Sequence, residues 1–168
     1  PTLKAYDPAY AYELAVIVRE GIRRMYEDQE DCFYYLTIGN ENYAQPPMPP
    51  GEKVKEGILK GMYKFRASDR SDLPHRAQLF GSGAIMNETL RAQEMLEGFG
   101  VAADCWSVTS YKELINDAQD TERRNLLNPG RKPEIPYVTR CLSGEPGVVV
   151  AASDYMKILP EGIARWVP

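Results

Sequence analysis

The chain has 168 residues, 43% of them hydrophobic, and a formal net charge of −4, which is typical of about one globular domain. Its basic residues are scattered, which excludes the clustered basic face that nucleic acid requires. It has no run of about 18 apolar residues and no basic start before an apolar core, so we expect neither a membrane span nor a secretory signal.

Cysteine and histidine are too few for several kinds of active site. Cys32, Cys105 and Cys141 are widely spaced in apolar runs, and His75 is the sole histidine. Without a Cys-x-x-Cys pair or a Cys/His cluster, we expect neither a zinc site nor Ser-His-Asp catalysis. The favoured interpretation is buried free thiols in a reducing, cytoplasmic compartment, and the alternative is a functional thiol.

The first predicted elements are a helix and a strand. Asp7 is a suitable N-cap and Pro8 a suitable first helical residue. Helical spacing predicts one buried face, formed by Ala11, Leu14, Ala15, Val18, Ile22 and Met25. Residues 32–38, CFYYLTI, are continuously apolar and predict a strand covered on both faces, as in a parallel sheet, which ends at Gly39.

A proline tract then separates this part from the rest of the chain. The prolines forbid regular structure and predict an extended tether between two domains; they are Pro46, Pro47, Pro49 and Pro50. Residues 54–59 predict a short helical turn. Residues 61–65 and 78–80 predict the two strands of a hairpin with His75 in its long loop.

The remaining sequence alternates between strand and helix patterns. Ser82-Gly83 opens a helix of about 14 residues that Gly100 closes as a left-handed cap. Ser110 caps another helix, with Glu113 at the capping-box spacing. The other predicted elements are strands at 101–108, 137–139 and 148–152, helices at 111–118 and 120–127, and a last helix capped by Asp154. This alternation predicts a layered α/β domain with a mainly parallel sheet.

Two motifs at strand ends have both a functional and a structural interpretation. Gly81-Ser82-Gly83 lies between a strand and a helix, where phosphate can bind. It lacks a third glycine, and the nearest acidic residue, Asp104, falls inside a strand, so tight packing is an equal explanation. The hydroxyls of residues 107–110 can face a ligand at the carboxyl edge of the sheet or simply cap a helix.

Polar residues follow the first predicted strand directly. Asn40, Glu41 and Asn42 stand at its carboxyl end, the edge at which open α/β sheets bind small molecules. An asparagine amide can donate to a substrate carboxylate without adding charge. We therefore treat these three residues as candidate substrate contacts, with an ordinary turn as the alternative.

Several sequence motifs together resemble one family, the homodimeric bacterial pyruvate dehydrogenases. These enzymes are the thiamine-diphosphate-dependent decarboxylating component of the pyruvate dehydrogenase complex and belong to the transketolase-like superfamily. The motifs occur in the same order and at similar spacing over nearly the whole chain; they are Tyr6-Asp7-Pro8-Ala9-Tyr10-Ala11-Tyr12-Glu13, Asn40-Glu41-Asn42-Tyr43, Gly81-Ser82-Gly83, Tyr111-Lys112-Glu113-Leu114 and Ser153-Asp154-Tyr155-Met156-Lys157.

The resemblance implies a specific domain arrangement. Residues 1–45 would be the last helix and strand of a pyrimidine-binding α/β middle domain, and residues 46–60 a linker. Residues 61–168 would be an incomplete, three-layer transketolase C-terminal-like domain with a mainly parallel sheet. Asn40, Glu41 and Asn42 would lie near the substrate mouth. Because both ends of the chain look cut, we expect a segment of a longer protein.

The resemblance also implies an activity for that longer protein. It would be a cytoplasmic homodimer that uses thiamine diphosphate and Mg²⁺ to decarboxylate pyruvate oxidatively. It would acetylate the lipoyl group of a dihydrolipoyl acyltransferase. The family's Gly-Asp-Gly metal motif does not occur here, and its active-site glutamate and histidines lie upstream. We therefore expect no catalytic, cofactor-binding or metal-binding residue in this segment, which alone would be inactive and bind no cofactor.

Two alternatives remain open from the sequence. The first is another enzyme of the same superfamily, such as a transketolase or a 2-oxoglutarate-type dehydrogenase. The second is a non-catalytic α/β module that dimerises or binds a regulator.

Overall fold

The computed structural model describes residues 2–168, which form six strands and six α-helices. In chain order these are β1 Leu3–Tyr6, α1 Ala11–Ile22, β2 Phe33–Leu36, α2 Lys53–Lys60, β3 Tyr63–Arg66, β4 His75–Gly81, α3 Ile85–Glu97, β5 Val101–Ser107, α4 Tyr111–Leu127, α5 Tyr137–Leu142, β6 Val148–Ala152 and α6 Ile158–Glu161. A π-helical turn at Arg23–Glu27 extends α1, and a 3-10 turn lies at Ala164–Trp166.

The strands form two sheets. β1 and β2 pair in parallel, with α1 as the crossover between them. The larger sheet has the order β3-β5-β4-β6, in which β4 pairs in parallel with both β5 and β6. Only β3, at one edge, is antiparallel. The prediction of a mainly parallel sheet with alternating helices is therefore confirmed.

The predicted hairpin over residues 61–80 is wrong. β3 pairs with β5, with Tyr63 opposite Ser107, and not with β4. β4 is buried from Ala77 to Gly81, and a strand with so little polar surface is stable in the middle of a parallel sheet. His75 is consequently the first residue of β4 rather than part of a loop.

Three further predictions, one of a strand and two of helices, need correction. Residues 137–139 are not a strand, because α5 begins after Pro136 and buries Val138 and Leu142, which are four residues apart on one helical face. The two helices predicted over 111–127 are one continuous helix, α4. Asp154 does not cap the last helix, since α6 begins only after Lys157. Gly100 has the predicted left-handed conformation, at φ 79°, but it does not cap α3, which ends at Glu97 with Gly98 as its C-cap.

α1 differs most from its sequence pattern. It begins after Tyr10, not after Asp7, and the predicted buried face is wrong, because the buried residues are Glu13, Ile17 and Gly21. Val18 and Ile22 are 40% and 50% exposed. Glu13, which the predicted buried face does not include, has a carboxylate that is buried among hydrogen-bond donors.

β2 is less covered than the sequence predicts. The side chains of Phe33 and Tyr35 are more than half exposed, so one face of this strand is open within residues 2–168. Cys105 is fully buried, Cys32 and Cys141 are half-buried, and all three thiols are free. Among residues 2–168, no helix is both long enough and apolar enough to cross a membrane.

The hydrophobic core connects the parts of the chain on either side of the proline tract. One cluster, on the side of α4 and α5, includes Phe80, Trp106 and Leu114. A second cluster joins Ala9 and Tyr10, before the tract, to the residues Ala77, Leu79, Met86, Ala103 and Cys105 after it. A third joins Tyr6 and Ile17 to Ile58 and Tyr63. Residues before the tract are therefore packed against those after it.

Candidate functional site

A cleft lies where the carboxyl ends of β1, β2 and β5 meet, and we call it the Asp7 cleft. Its volume is about 260 Å³, and it is lined by Ala5, Tyr6, Asp7, Tyr35, Thr37, Val108, Ser110, Tyr111, Lys112, Tyr155 and Leu159. This is the edge at which open α/β sheets bind small molecules. The Asp7 cleft is therefore the candidate site that the fold itself favours.

Backbone hydrogen bonds hold this edge together. The Asp7 N–H donates to the Thr109 carbonyl oxygen at 2.7 Å, and the Gly83 N–H donates to the Asp7 carbonyl oxygen at 3.2 Å. The Ser110 hydroxyl donates to the Ala5 carbonyl oxygen at 2.6 Å and accepts from the Glu113 N–H at 3.0 Å. These bonds confirm Ser110 as a helix cap and fix the end of β1 against the larger sheet.

The Asp7 carboxyl group packs on the glycine turn at 81–83. Gly83 has φ +51°, and a Cβ on it would lie 2.9 Å from Asp7 Oδ1. A carboxylate at this position repels phosphate, so tight packing, rather than phosphate binding, explains these glycines.

Burial raises the pKa of Asp7, and the nearby Asp154 raises it further. The Thr37 hydroxyl partly offsets this effect by donating to Asp7 Oδ1 at 2.6 Å. The Ser82 hydroxyl lies close enough to lower the same pKa, but it makes no hydrogen bond of normal geometry. The cleft therefore holds a carboxyl group in an apolar, partly buried setting.

Glu13 forms a separate buried cluster between α1 and the larger sheet. Its Oε2 accepts from the N–H groups of Ala9 at 2.6 Å and Tyr10 at 3.2 Å. Its Oε1 accepts from the hydroxyls of Tyr63 and Ser107, both at 2.6 Å. Burial raises the pKa of Glu13 even though all four hydrogen bonds lower it. Because every acceptor position is used inside the protein, this carboxylate holds the structure together rather than binding a ligand.

Sequence reasoning missed both carboxyl groups. The sequence pattern predicts Asp7 as an N-cap and assigns no separate role to Glu13. A usable signal was the position of Glu13 three residues after the true N-cap, Tyr10, from which it reaches back to the free N–H groups of the first turn.

The predicted substrate contacts do not line the Asp7 cleft. Asn40, Glu41 and Asn42 are all exposed, in a segment without regular structure after β2. Glu41 lines a smaller cleft of about 160 Å³ beside the start of α1. The segment is anchored by the Tyr43 hydroxyl, which donates to the Ala9 carbonyl oxygen at 2.5 Å.

The hydroxyl groups of residues 107–110 have internal partners. Ser107 donates to Glu13, and Thr109 donates to the Ile58 carbonyl oxygen at 2.6 Å. Ser110 caps α4. Of the two interpretations of this stretch, the geometry favours the structural one.

The acidic residue inside β5 also has a structural role. Asp104 Oδ2 lies 2.9 Å from Lys64 Nζ, and Asp104 Oδ1 accepts from the Ser68 N–H at 2.9 Å. Within residues 2–168 no three His, Cys, Asp or Glu side chains are grouped as a metal site requires.

Two family profiles match this chain. The one described as the pyruvate dehydrogenase E1 component middle domain matches residues 1–46. The one described as the transketolase-like TK C-terminal domain matches residues 61–167, more than half of the chain. The chain belongs to the transketolase-like C-terminal domain family.

Curated relatives of this family member extend the match to the whole chain. It is 52% identical to a pyruvate dehydrogenase E1 component of Pseudomonas aeruginosa over 169 residues, which are 100% of this chain and 19% of the relative. It is 45% identical to those of Escherichia coli K12 and Mycobacterium tuberculosis over 170 residues, covering 100% of this chain and 18% of each. The chain thus spans about a fifth of the length of these relatives. The resemblance to the bacterial pyruvate dehydrogenases is confirmed.

Solved structures agree on the fold. A transketolase variant from Pichia stipitis superposes with a TM-score of 0.51 at 18% identity, covering 99% of this chain and 23% of that one. At this identity the likeness concerns the fold alone, which is that of a transketolase-like C-terminal domain.

Proposed function

We propose that this chain is part of a pyruvate dehydrogenase that decarboxylates pyruvate oxidatively and acetylates the lipoyl group of a dihydrolipoyl acyltransferase. The 52% identity over the whole chain to a pyruvate dehydrogenase E1 component carries this proposal. The same proposal includes a homodimer in the cytoplasm that depends on thiamine diphosphate and Mg²⁺. Thiamine diphosphate, when bound, supplies the carbanion stabilisation that decarboxylation needs.

The residues of this chain do not fit the diphosphate or its metal ion. The glycine turn at 81–83 is packed against the Asp7 carboxyl group, and residues 2–168 contain no cluster of metal-ligating side chains. We therefore propose that the cofactor is held by parts of the longer protein outside this chain. The chain itself would supply packing surfaces and strand ends beside the reaction site.

We also propose a domain boundary within residues 46–60, between a middle domain ending near residue 45 and a C-terminal domain beginning near residue 61. It is supported by the two family profiles, which match residues 1–46 and 61–167 on either side. The apolar side chains left exposed on α1, among them Val18 and Ile22, support a covering of this helix in the whole protein.

The proposal is tested with the full-length protein and a lipoyl-bearing acyltransferase domain. Lipoyl acetylation should require pyruvate, thiamine diphosphate and Mg²⁺ together. The control substrates are 2-oxoglutarate and xylulose 5-phosphate, and neither should give product. Preference for either would assign the protein to another enzyme of the superfamily, and no turnover with any substrate would favour a non-catalytic module.

We propose Asn40, Glu41 and Asn42 as residues near the bound substrate. Their position after the carboxyl end of a parallel strand and the exposure of their side chains support this. In the full-length enzyme, Asn40→Ala or Asn42→Ala should raise the KM for pyruvate by about fivefold, the loss of about one hydrogen bond. Gln119→Ala, an equally exposed amide on α4, is the control. Unchanged kcat and KM in both asparagine variants would remove them from the site.

A further inference from the structure

Two buried hydroxyl groups near the Asp7 cleft have no hydrogen-bond partner among residues 2–168. They belong to Ser82 and Tyr111, each only 3% exposed. Tyr111 is part of the cleft wall, and Ser82 lies beside the Asp7 carboxyl group. Burial raises the pKa of Tyr111, and the charge of the nearby Asp7 raises it further. Buried hydroxyls normally have partners, and unpartnered ones on a cleft wall point to a ligand.

The charge of the cleft favours a cation. The Asp7 carboxyl group makes no ion pair with any basic residue in the described part of the chain. The exposed Asp154 acts on Asp7 with the same sign of charge. The lining itself carries one acidic and one basic residue, Asp7 and Lys112, and Asp154 adds a second acidic group close to Asp7.

The remaining walls are aromatic. Tyr35 and Tyr155 are 59% and 45% exposed and belong to the lining, together with Tyr6 and Tyr111. Aromatic faces attract organic ammonium groups, more strongly where the group is removed from water. The volume of about 260 Å³ is below the about 300–1,000 Å³ typical of small-molecule pockets, so the ligand must be small.

We propose that the Asp7 cleft binds a small organic cation that has an ammonium or amidinium group on an aromatic or aliphatic body. The cationic N–H groups are directed to the Asp7 carboxylate and the Tyr111 hydroxyl oxygen. The body of the ligand lies against Tyr35 and Tyr155. This proposal does not depend on the pyruvate dehydrogenase activity, because no residue of the cleft is assigned a part in that reaction.

The experiment is a titration of the full-length protein with benzylamine, followed by calorimetry or by ligand-observed NMR. Benzyl alcohol and benzoate are matched neutral and anionic probes of nearly the same shape. Benzylamine should saturate with a Kd of about 1 mM, as expected for so few atoms, and the other two should bind at least about tenfold more weakly. No saturation up to about 10 mM, or equal binding of benzyl alcohol, overturns the proposal.

Variants locate the binding. Asp7→Asn should weaken benzylamine binding at least about tenfold, because it removes the charge and keeps the shape. Asp69→Asn, an exposed carboxylate in another loop, should leave binding unchanged. Tyr111→Phe should weaken binding about threefold. Because its hydroxyl has no protein partner, this variant keeps the fold and decides the question if Asp7→Asn does not fold. Benzylamine binding that neither variant changes lies elsewhere and overturns the proposal.

Discussion

Glu13 provides the sharpest test of how the two parts of the chain are joined. Its carboxylate is fully buried and accepts hydrogen bonds from two N–H groups at the start of α1 and from the hydroxyls of Tyr63 and Ser107. The two hydroxyls lie 50 and 94 residues further along the chain. We predict that Glu13→Ala is severe and that Glu13→Gln is mild.

The magnitudes follow from the donors left without an acceptor. Glu13→Ala leaves the Ser107 hydroxyl and the two N–H groups at the start of α1 without an acceptor. The Tyr63 hydroxyl keeps a hydrogen bond to the Tyr12 hydroxyl. At about 1–3 kcal/mol for each buried donor, the total is about 4 kcal/mol. Glutamine keeps an acceptor for the N–H groups, and its NH₂ group can donate to hydroxyls that rotate to accept. We expect a cost of about 1–2 kcal/mol for this variant.

A large multidomain protein has no single well-defined free energy of unfolding. Hydrogen exchange of the full-length protein instead measures the loss of stability around Glu13 locally. Amides of residues 9–22 should exchange on the order of a thousandfold faster in Glu13→Ala and about tenfold faster in Glu13→Gln. Glu88→Ala, an exposed carboxylate on α3, should change exchange there little. Equal exchange in the alanine and glutamine variants would refute the reasoning, since it would mean that the acceptor geometry contributes nothing.

The sign of the pH dependence gives a second check on Glu13. Its pKa is raised above the usual 4.5 in the folded protein, so the folded state holds the proton more tightly than the unfolded state. The corresponding stability is fully present below pH 4.5 and is lost as the pH rises through the folded pKa. The loss of unfolding free energy caused by Glu13→Gln should therefore be larger at about pH 5 than at about pH 8.

Three other predictions concern stability, measured by thermal unfolding or hydrogen exchange. Gly147→Ala should lower the free energy of unfolding by more than about 3 kcal/mol, because the new Cβ would lie 2.0 Å from the Arg76 carbonyl oxygen. Gly144 also has a positive φ but faces open space, so Gly144→Ala should lower it by only about 1 kcal/mol. Equal losses would contradict the clash. Ser110→Ala should cost about 1–2 kcal/mol through the lost cap, and no loss would contradict that role. Tyr111→Phe should be neutral or stabilise by about 1 kcal/mol, and a clear loss would contradict an unpartnered hydroxyl.

Local signals in the sequence predict much of the fold. Ser110 with Glu113 predicts the cap of α4, and Gly100 predicts a left-handed turn shortly after α3. These features depend on neighbouring residues only. The pairing of β3 with β5 depends on contacts about 40 residues apart in the chain, and a short strand pattern does not specify its partner. Residues 137–139 contain aromatic and β-branched residues, which favour a strand locally, although they begin α5 in the structure.

The candidate site was less predictable than the fold. Asp7 resembles an ordinary N-cap in sequence, and its place in a cleft depends on β1, which the sequence pattern did not reveal. Glu13 could not be recognised as buried, because the hydroxyls that accommodate it come from β3 and β5. A buried charge is stable only when all its partners arrive together, and that depends on the tertiary fold.

The joint between the two parts of the chain is directional as well as apolar. Tyr10 stacks on Phe65 with ring centroids 5.3 Å apart, a contact that tolerates sliding. Two polar contacts do not tolerate sliding: the Lys4–Glu113 ion pair at 2.7 Å and the four hydrogen bonds to Glu13. A shift of one residue would leave buried polar groups unpaired. The same joint fixes the end of β1, which carries Asp7. The shape of the Asp7 cleft is therefore set by the fold before any ligand binds, so a small cation would enter a site that is already formed.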